Sequence, residues 1–116
     1  MKYLLVSLLF LAVLIGGFFY LPYFQPTDVK NLVYREGLYY KQFSNSKFTG
    51  SIESYFDNGQ LKNLGKIKNG KRQGLWKSYE KKGYLQSEGN YQDNLKSGLW
   101  KYFYSNNQLM RTGVYV

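Results

Sequence analysis

The residue types that perform most enzymatic chemistry are sparse in this 116-residue chain, which contains no Cys and no His. That composition removes disulfides, thiolate and imidazole metal sites, Cys/His nucleophile pairs and the Ser-His-Asp triad. Seven carboxylates remain, and a glycosidase-type pair needs only two at the right separation. Glu53, Asp57 and Glu80 do not recur through the chain, with lysines at the equivalent places of Glu53 (Lys77, Lys101) and Asp57 (Lys81), so they read as solvated charges. Gly65-Lys-Ile-Lys-Asn-Gly70-Lys71 matches the first seven positions of a phosphate-binding loop, but Arg72 stands where a magnesium-binding hydroxyl is needed. No strand-to-helix unit is expected there to place a phosphate at a helix N-terminus. No catalytic, cofactor-binding or metal-binding residue is therefore expected, and the chain does not read as an enzyme.

Binding groups are plentiful. Sixteen Lys/Arg against seven Asp/Glu give a net charge of +9, and 20% of residues are aromatic. Arg72 and Lys96 are 24 residues apart, as are Lys77 and Lys101. If copies of one unit stack, these four align as a positive stripe with aromatics nearby, suited to an anionic partner. Solubility alone is the competing account. Trp76 and Trp100 have the chemistry of stacking platforms, although sharing a column with Ile52 favours core packing. Tyr40, Tyr84, Tyr102 and Tyr104 lie outside the strictest repeat positions and are better suited to exposed contacts.

The elements that must carry these groups follow from a 24-residue period. It links Gly50, Gly74 and Gly98; Ile52, Trp76 and Trp100; Tyr55, Tyr79 and Phe103. It also links Leu61, Leu85 and Leu109; Gly65, Gly89 and Gly113; Ile67, Tyr91 and Tyr115. Each unit reads as a β-hairpin. Asn58-Gly59 suits a tight type I′ turn, with Lys82-Gly83 and Asn106-Asn107 at the equivalent places. Leu61, Asn63, Gly65 and Ile67 share one strand face, as do Leu85, Ser87, Gly89 and Tyr91. A single hairpin cannot bury such a face, so neighbouring copies must stack. Glycine inside a strand suggests that a ring, such as Trp76 or Trp100, lies across the backbone at Gly65, Gly89 and Gly113.

The pattern G-x-W-x-x-Y…G-x-Y resembles MORN repeats, specifically the shorter bacterial variant. Gly74-Leu-Trp76-Lys-Ser-Tyr79 and Gly98-Leu-Trp100-Lys-Tyr-Phe103 carry the resemblance. The segment Val33-Tyr-Arg35-Glu-Gly37-Leu-Tyr39-Tyr40, with Phe48-Thr49-Gly50, is similar to the start of YwqK-family antitoxin proteins. The resemblance covers residues 33–116. It implies an all-β, single-layer ribbon of stacked antiparallel hairpins with an aromatic-rich groove, and a role in neutralising a toxin by direct binding. Ile52 replaces Trp in the first unit, and Asn94 stands where Gly70 would recur.

Ahead of the repeats, 19 of the first 24 residues are apolar, and residues 4–21 carry no charge. A helix over that span is about 27 Å long, enough for a bilayer core. The segment reads as an uncleaved membrane anchor with an interfacial aromatic belt, or as a signal peptide. The expected organisation is anchor or signal at 1–24, tether at 25–33 and repeat domain at 34–116. That domain divides into a partial unit 34–49 and repeats 50–73, 74–97 and 98–116. The function expected is a membrane-tethered or exported, extracytoplasmic module that binds a protein or an anionic membrane or envelope surface. A role in nucleic-acid binding rests on charge and aromatics alone and is disfavoured.

Overall fold

The computed structural model describes residues 26–116. The expected N-terminal helix and membrane span lie outside these residues. Within them, nine strands form: β1 (Thr27–Asp28), β2 (Leu32–Arg35), β3 (Leu38–Lys41), β4 (Gly50–Tyr55), β5 (Leu61–Lys68), β6 (Lys71–Tyr79), β7 (Leu85–Gln92), β8 (Leu95–Phe103) and β9 (Leu109–Tyr115). Strands β4 to β9 follow one another in a single antiparallel meander, with β1 parallel to β4 at one edge. The period-two alternation of each strand thus builds a sheet of stacked hairpins, as the repeat requires.

The turns are distributed differently from the sequence expectation. At Asn58-Gly59, Lys82-Gly83 and Asn106-Asn107 only the second residue has positive φ. Phe56, Glu80 and Tyr104 each accept from the N–H three residues on and donate to the carbonyl four residues on. These are three-residue hairpin loops, each a type I turn closed by a left-handed residue. Both central residues have positive φ instead at Glu36-Gly37, Asn69-Gly70 and Asp93-Asn94, which join β2–β3, β5–β6 and β7–β8. The tight turns are therefore the connectors between units. A connector of two residues favours such primed turns, whose twist matches that of the flanking strands.

The tryptophan columns explain the glycines. In the β5–β6 ladder, Leu64 pairs with Lys77 and Lys66 with Gln73, so Gly65 alone faces Gly74, Leu75 and Trp76. The β7–β8 ladder repeats this, with Gly89 facing Gly98, Leu99 and Trp100. Gly74 and Gly98 take left-handed φ of 76° and 65°, which lets the extra residues bulge out. The rings of Trp76 and Trp100 then lie flat on Gly65 and Gly89, where a Cβ would occupy ring space. Each indole N–H donates to a carbonyl beside the bulge, Trp76 to Lys66 at 3.1 Å and Trp100 to Asn90 at 3.0 Å. Ile52, Ile67, Trp76 and Trp100 form the buried core.

The N-terminal part, expected as a tether and a partial unit, packs on the sheet. Residues 27–33 do not hang free as a tether: Thr27 and Asp28 pair with Ile52 and Glu53, and Val29 and Leu32 pack on the core. The partial unit is not a copy continued in the ladder either. Strands β2 and β3 form a separate two-stranded sheet, laid against the core face. Tyr39 donates its N–H to the Gly70 carbonyl at 2.9 Å, and Gly70 donates to Phe48 at 2.8 Å. Asn94 holds the same hairpin from its side, donating Nδ2–H to the Gly37 carbonyl at 2.9 Å and accepting from Arg72 N–H at 2.8 Å. That bridge is what an asparagine provides and the glycine of the preceding unit cannot. The β-hairpin layer is therefore single except where this segment covers it.

Candidate functional site

Register and alternation divide the sheet into two chemically distinct faces. Ile52 pairs with Gly65, Ile67 with Arg72, Tyr91 with Lys96 and Ser87 with Tyr102. These residues share the core face with Trp76 and Trp100. Lys77 and Lys101 both pair with Glu88 and project from the opposite face. The four cations expected in one stripe are thus two pairs on two faces. On the outer face, Glu88 is the cross-strand neighbour of both lysines, an opposite charge beside them although it forms no ion pair with either. The core face of strands β4 to β9 carries no Asp or Glu.

Arg72 and Lys96 repeat one arrangement. The Arg72 guanidinium lies 5.3 Å from the centroids of both Trp76 and Tyr91. Lys96 Nζ lies 4.5 Å from Trp100 and 5.3 Å from Tyr115. In both copies the Trp and Tyr rings meet edge to face, Trp76 with Tyr91 at 5.7 Å and Trp100 with Tyr115 at 6.4 Å. The ring quadrupole attracts the cation in each case, contributing about 0.5–1 kcal/mol or more as water is excluded. Arg72 lies on β6 and Lys96 on β8, so one strand separates them and the cations recur at about 10 Å, two strand spacings, across the sheet.

Neither cation finds a carboxylate. Among the described residues the ion pair that forms is Lys30 with Asp28, at 3.5 Å. Burial works against the charge of Arg72, yet hydrogen bonding to Tyr39 and Tyr91 outweighs it and holds the pKa above its usual value. Lys96 is raised as well, chiefly by its hydrogen bond to Tyr102 Oη at 3.1 Å. The Tyr102 and Tyr115 hydroxyls are 3.2 Å apart, and Arg111 stacks 3.8 Å from the Tyr102 ring. Their hydrogen bond favours ionisation of Tyr102, lowering its pKa, and raises that of Tyr115.

A cavity of about 370 Å³ opens beside Arg72, between the β2–β3 hairpin and the sheet. Tyr39 and Val29 bound it on one side, and Ile52, Trp76, Tyr91 and Trp100 supply apolar wall. Ser54, Asn63 and Ser78 make a polar floor. Asn63 donates to Ser54 Oγ at 3.1 Å and accepts from Ser78 Oγ at 2.8 Å. One amide N–H and the Ser54 hydroxyl proton remain free to donate.

Of the residues singled out from sequence, Arg72, Lys96 and Tyr102 come together on the core face, whereas Lys77 and Lys101 do not join them. Tyr84 and Tyr104 stand beside the three-residue loops, at the opposite end of the strands from Arg72 and Lys96. Trp76 and Trp100 are 6% and 3% exposed, so they serve as core and offer no open stacking platform. Sequence reasoning did not single out Asn63, Ser54, Ser78, Tyr39 or Arg111 as site residues. Tyr91 was visible as a repeat column, but nothing linked that column to Arg72. Among the described residues no cluster of three metal-ligating side chains occurs, and no helix is long and apolar enough to cross a membrane. Compared with family models, curated proteins and solved structures, the chain shows no match.

Proposed function

We propose that this chain is a non-catalytic binding module built on MORN-type repeats, which engages an anionic partner through its core face. The observation that carries this reading is the pair Arg72 and Lys96. Both are held charged among rings, recur once per unit, and have no carboxylate within ion-pair distance. A cation ordered in this way and left unneutralised favours an incoming anion more than a freely solvated lysine does, because little further ordering is needed on binding. Arg111 extends the positive face along β9. The expected anchor at residues 4–21 would hold the module at a membrane, facing an anionic envelope component. An acidic protein would meet the same cations, and the antitoxin resemblance implies a toxin bound directly.

The test is binding of the intact chain to polyglutamate and to polyphosphate across a salt titration. Binding is expected to weaken as salt screens the face. The double variant Arg72→Gln/Lys96→Gln is expected to weaken it about tenfold or more, a loss typical of charged hydrogen bonds. Lys77→Gln/Lys101→Gln removes the same formal charge from the outer face and is expected to change it less than about threefold. Equal losses from the two double variants would show that net charge alone drives binding and would sink the proposal.

A further inference from the structure

The cavity beside Arg72 allows the ligand to be specified more closely, an inference that rests on the anion-binding reading above. Its volume of about 370 Å³ lies at the lower end of small-ligand pockets, about 300–1,000 Å³. That is room for one ring-sized body. Two cations line the cavity, Lys62 and Arg72, and the Arg72 guanidinium offers a planar fork of donors that matches one carboxylate. Away from Arg72 the lining is mostly polar: Ser54, Asn63 and Ser78 already bond to one another and keep spare donors and acceptors, with Lys62 and Tyr55 beside them. Mixed donor and acceptor capacity of this kind suits hydroxyl groups, which both give and accept hydrogen bonds. Ile52, Tyr91 and the tryptophan edges complete the site with apolar surface for C–H groups.

We infer that this cavity binds a carboxylated, polyhydroxylated ring of hexuronate type, its carboxylate on Arg72 and its hydroxyls on the Ser54–Asn63–Ser78 floor. Such a group can arrive as a free sugar acid or as one residue of an anionic polysaccharide. A neutral hexose lacks the carboxylate, and inorganic phosphate lacks the body that fills the cavity.

Tryptophan fluorescence of the intact chain reads the site directly, since Trp76 and Trp100 line it. Titration with galacturonate is expected to give a saturable change, and glucose at the same concentrations is expected to give none. Polygalacturonate binding more tightly than the monomer by over about tenfold, through several linked contacts, would identify the polymer as the source. Comparable affinity per residue would identify the free acid. Arg72→Gln and Asn63→Asp should each weaken galacturonate binding by about tenfold or more, while Lys101→Gln leaves it unchanged. Asn63→Asp keeps the side-chain shape and places a negative charge on the floor, so a folded but non-binding variant separates loss of the site from loss of the fold. No response to either galacturonate or polygalacturonate, or an equal response to glucose or phosphate, overturns the inference. If polyglutamate still binds through Arg72 and Lys96 in that case, the anionic reading stands and only the pocket assignment falls.

Discussion

Replacing Gly89 by alanine tests how the repeat holds together. A Cβ at this position would press into the face of the Trp100 ring, far inside van der Waals contact with Cδ2 and Cε2. Backbone bulge and indole hydrogen bond fix that ring from two sides, so it cannot slide without giving up its bond to Asn90 at 3.0 Å. Overpacking a core costs about 1–3 kcal/mol, and evicting a buried tryptophan altogether costs about 3–5 kcal/mol. Alanine recovers about 0.5–1 kcal/mol of backbone entropy relative to glycine. The expected net loss is about 3 kcal/mol, which for a domain of this size lowers Tm by about 12–24 °C. Gly113 is the internal control. It occupies the same repeat column, but the nearest atoms to its Cβ belong to Tyr115, at an ordinary 3.4 Å. Gly113→Ala should therefore leave stability unchanged or raise it slightly. Urea unfolding followed by tryptophan fluorescence measures both. In a double-mutant cycle, Trp100→Leu should cost far less in the Gly89→Ala background than in the parent. Equal destabilisation by Gly89→Ala and Gly113→Ala would refute the argument, because it would place the cost in the strand backbone and not in the ring.

Trp76→Phe keeps an aromatic ring on Gly65 but strands the Lys66 carbonyl that accepts the indole N–H. It should cost about 1–3 kcal/mol in chemical denaturation, and an outcome below 0.5 kcal/mol, about the weakest net hydrogen bond, would dismiss that bond. Asn94→Gly retains the left-handed turn, at φ 72° in the parent, while removing the side-chain bridge to Gly37 and Arg72. Limited proteolysis should then cut residues 32–48 faster, with unchanged cleavage within β6–β8. The Tyr55 phenol, hydrogen-bonded to the Glu53 carboxylate, is pushed up to about 12. Its neutral form stabilises the fold in full below its ordinary value of about 10, and that contribution disappears as pH rises from there through about 12. Tyrosinate absorbance of the folded chain should show a late-titrating tyrosine that Tyr55→Phe removes; an unaltered titration would exclude it.

Much of this architecture was legible because it is periodic and local. The columns at Gly50, Ile52, Leu61, Gly65 and Ile67, each recurring after 24 residues, demanded stacked hairpins. The ring resting on glycine followed from a strand glycine repeating in step with a tryptophan. Turn geometry was less legible. Asn58-Gly59 and Asn69-Gly70 carry the same dipeptide, yet only the second takes both residues to positive φ, since loop length and not residue type selects the turn.

The site required the tertiary structure. A period of 24 places Arg72 with Lys96 and Lys77 with Lys101, but it does not say that the two pairs leave opposite faces. Side-chain direction alternates at every strand residue, and the two residues added at the bulge keep that parity, so the five-residue offset from Arg72 to Lys77 means opposite faces once the ladder register shows both on one strand. That register puts Glu88 between Lys77 and Lys101 and leaves Arg72 and Lys96 among rings. The cavity likewise depends on contacts far apart in sequence, Asn94 with Gly37 and Tyr39 with Gly70. Repetition specified the sheet because each unit meets only its neighbours, whereas the cover over one face is made by a segment that does not repeat, and its position is decided by packing across the whole chain.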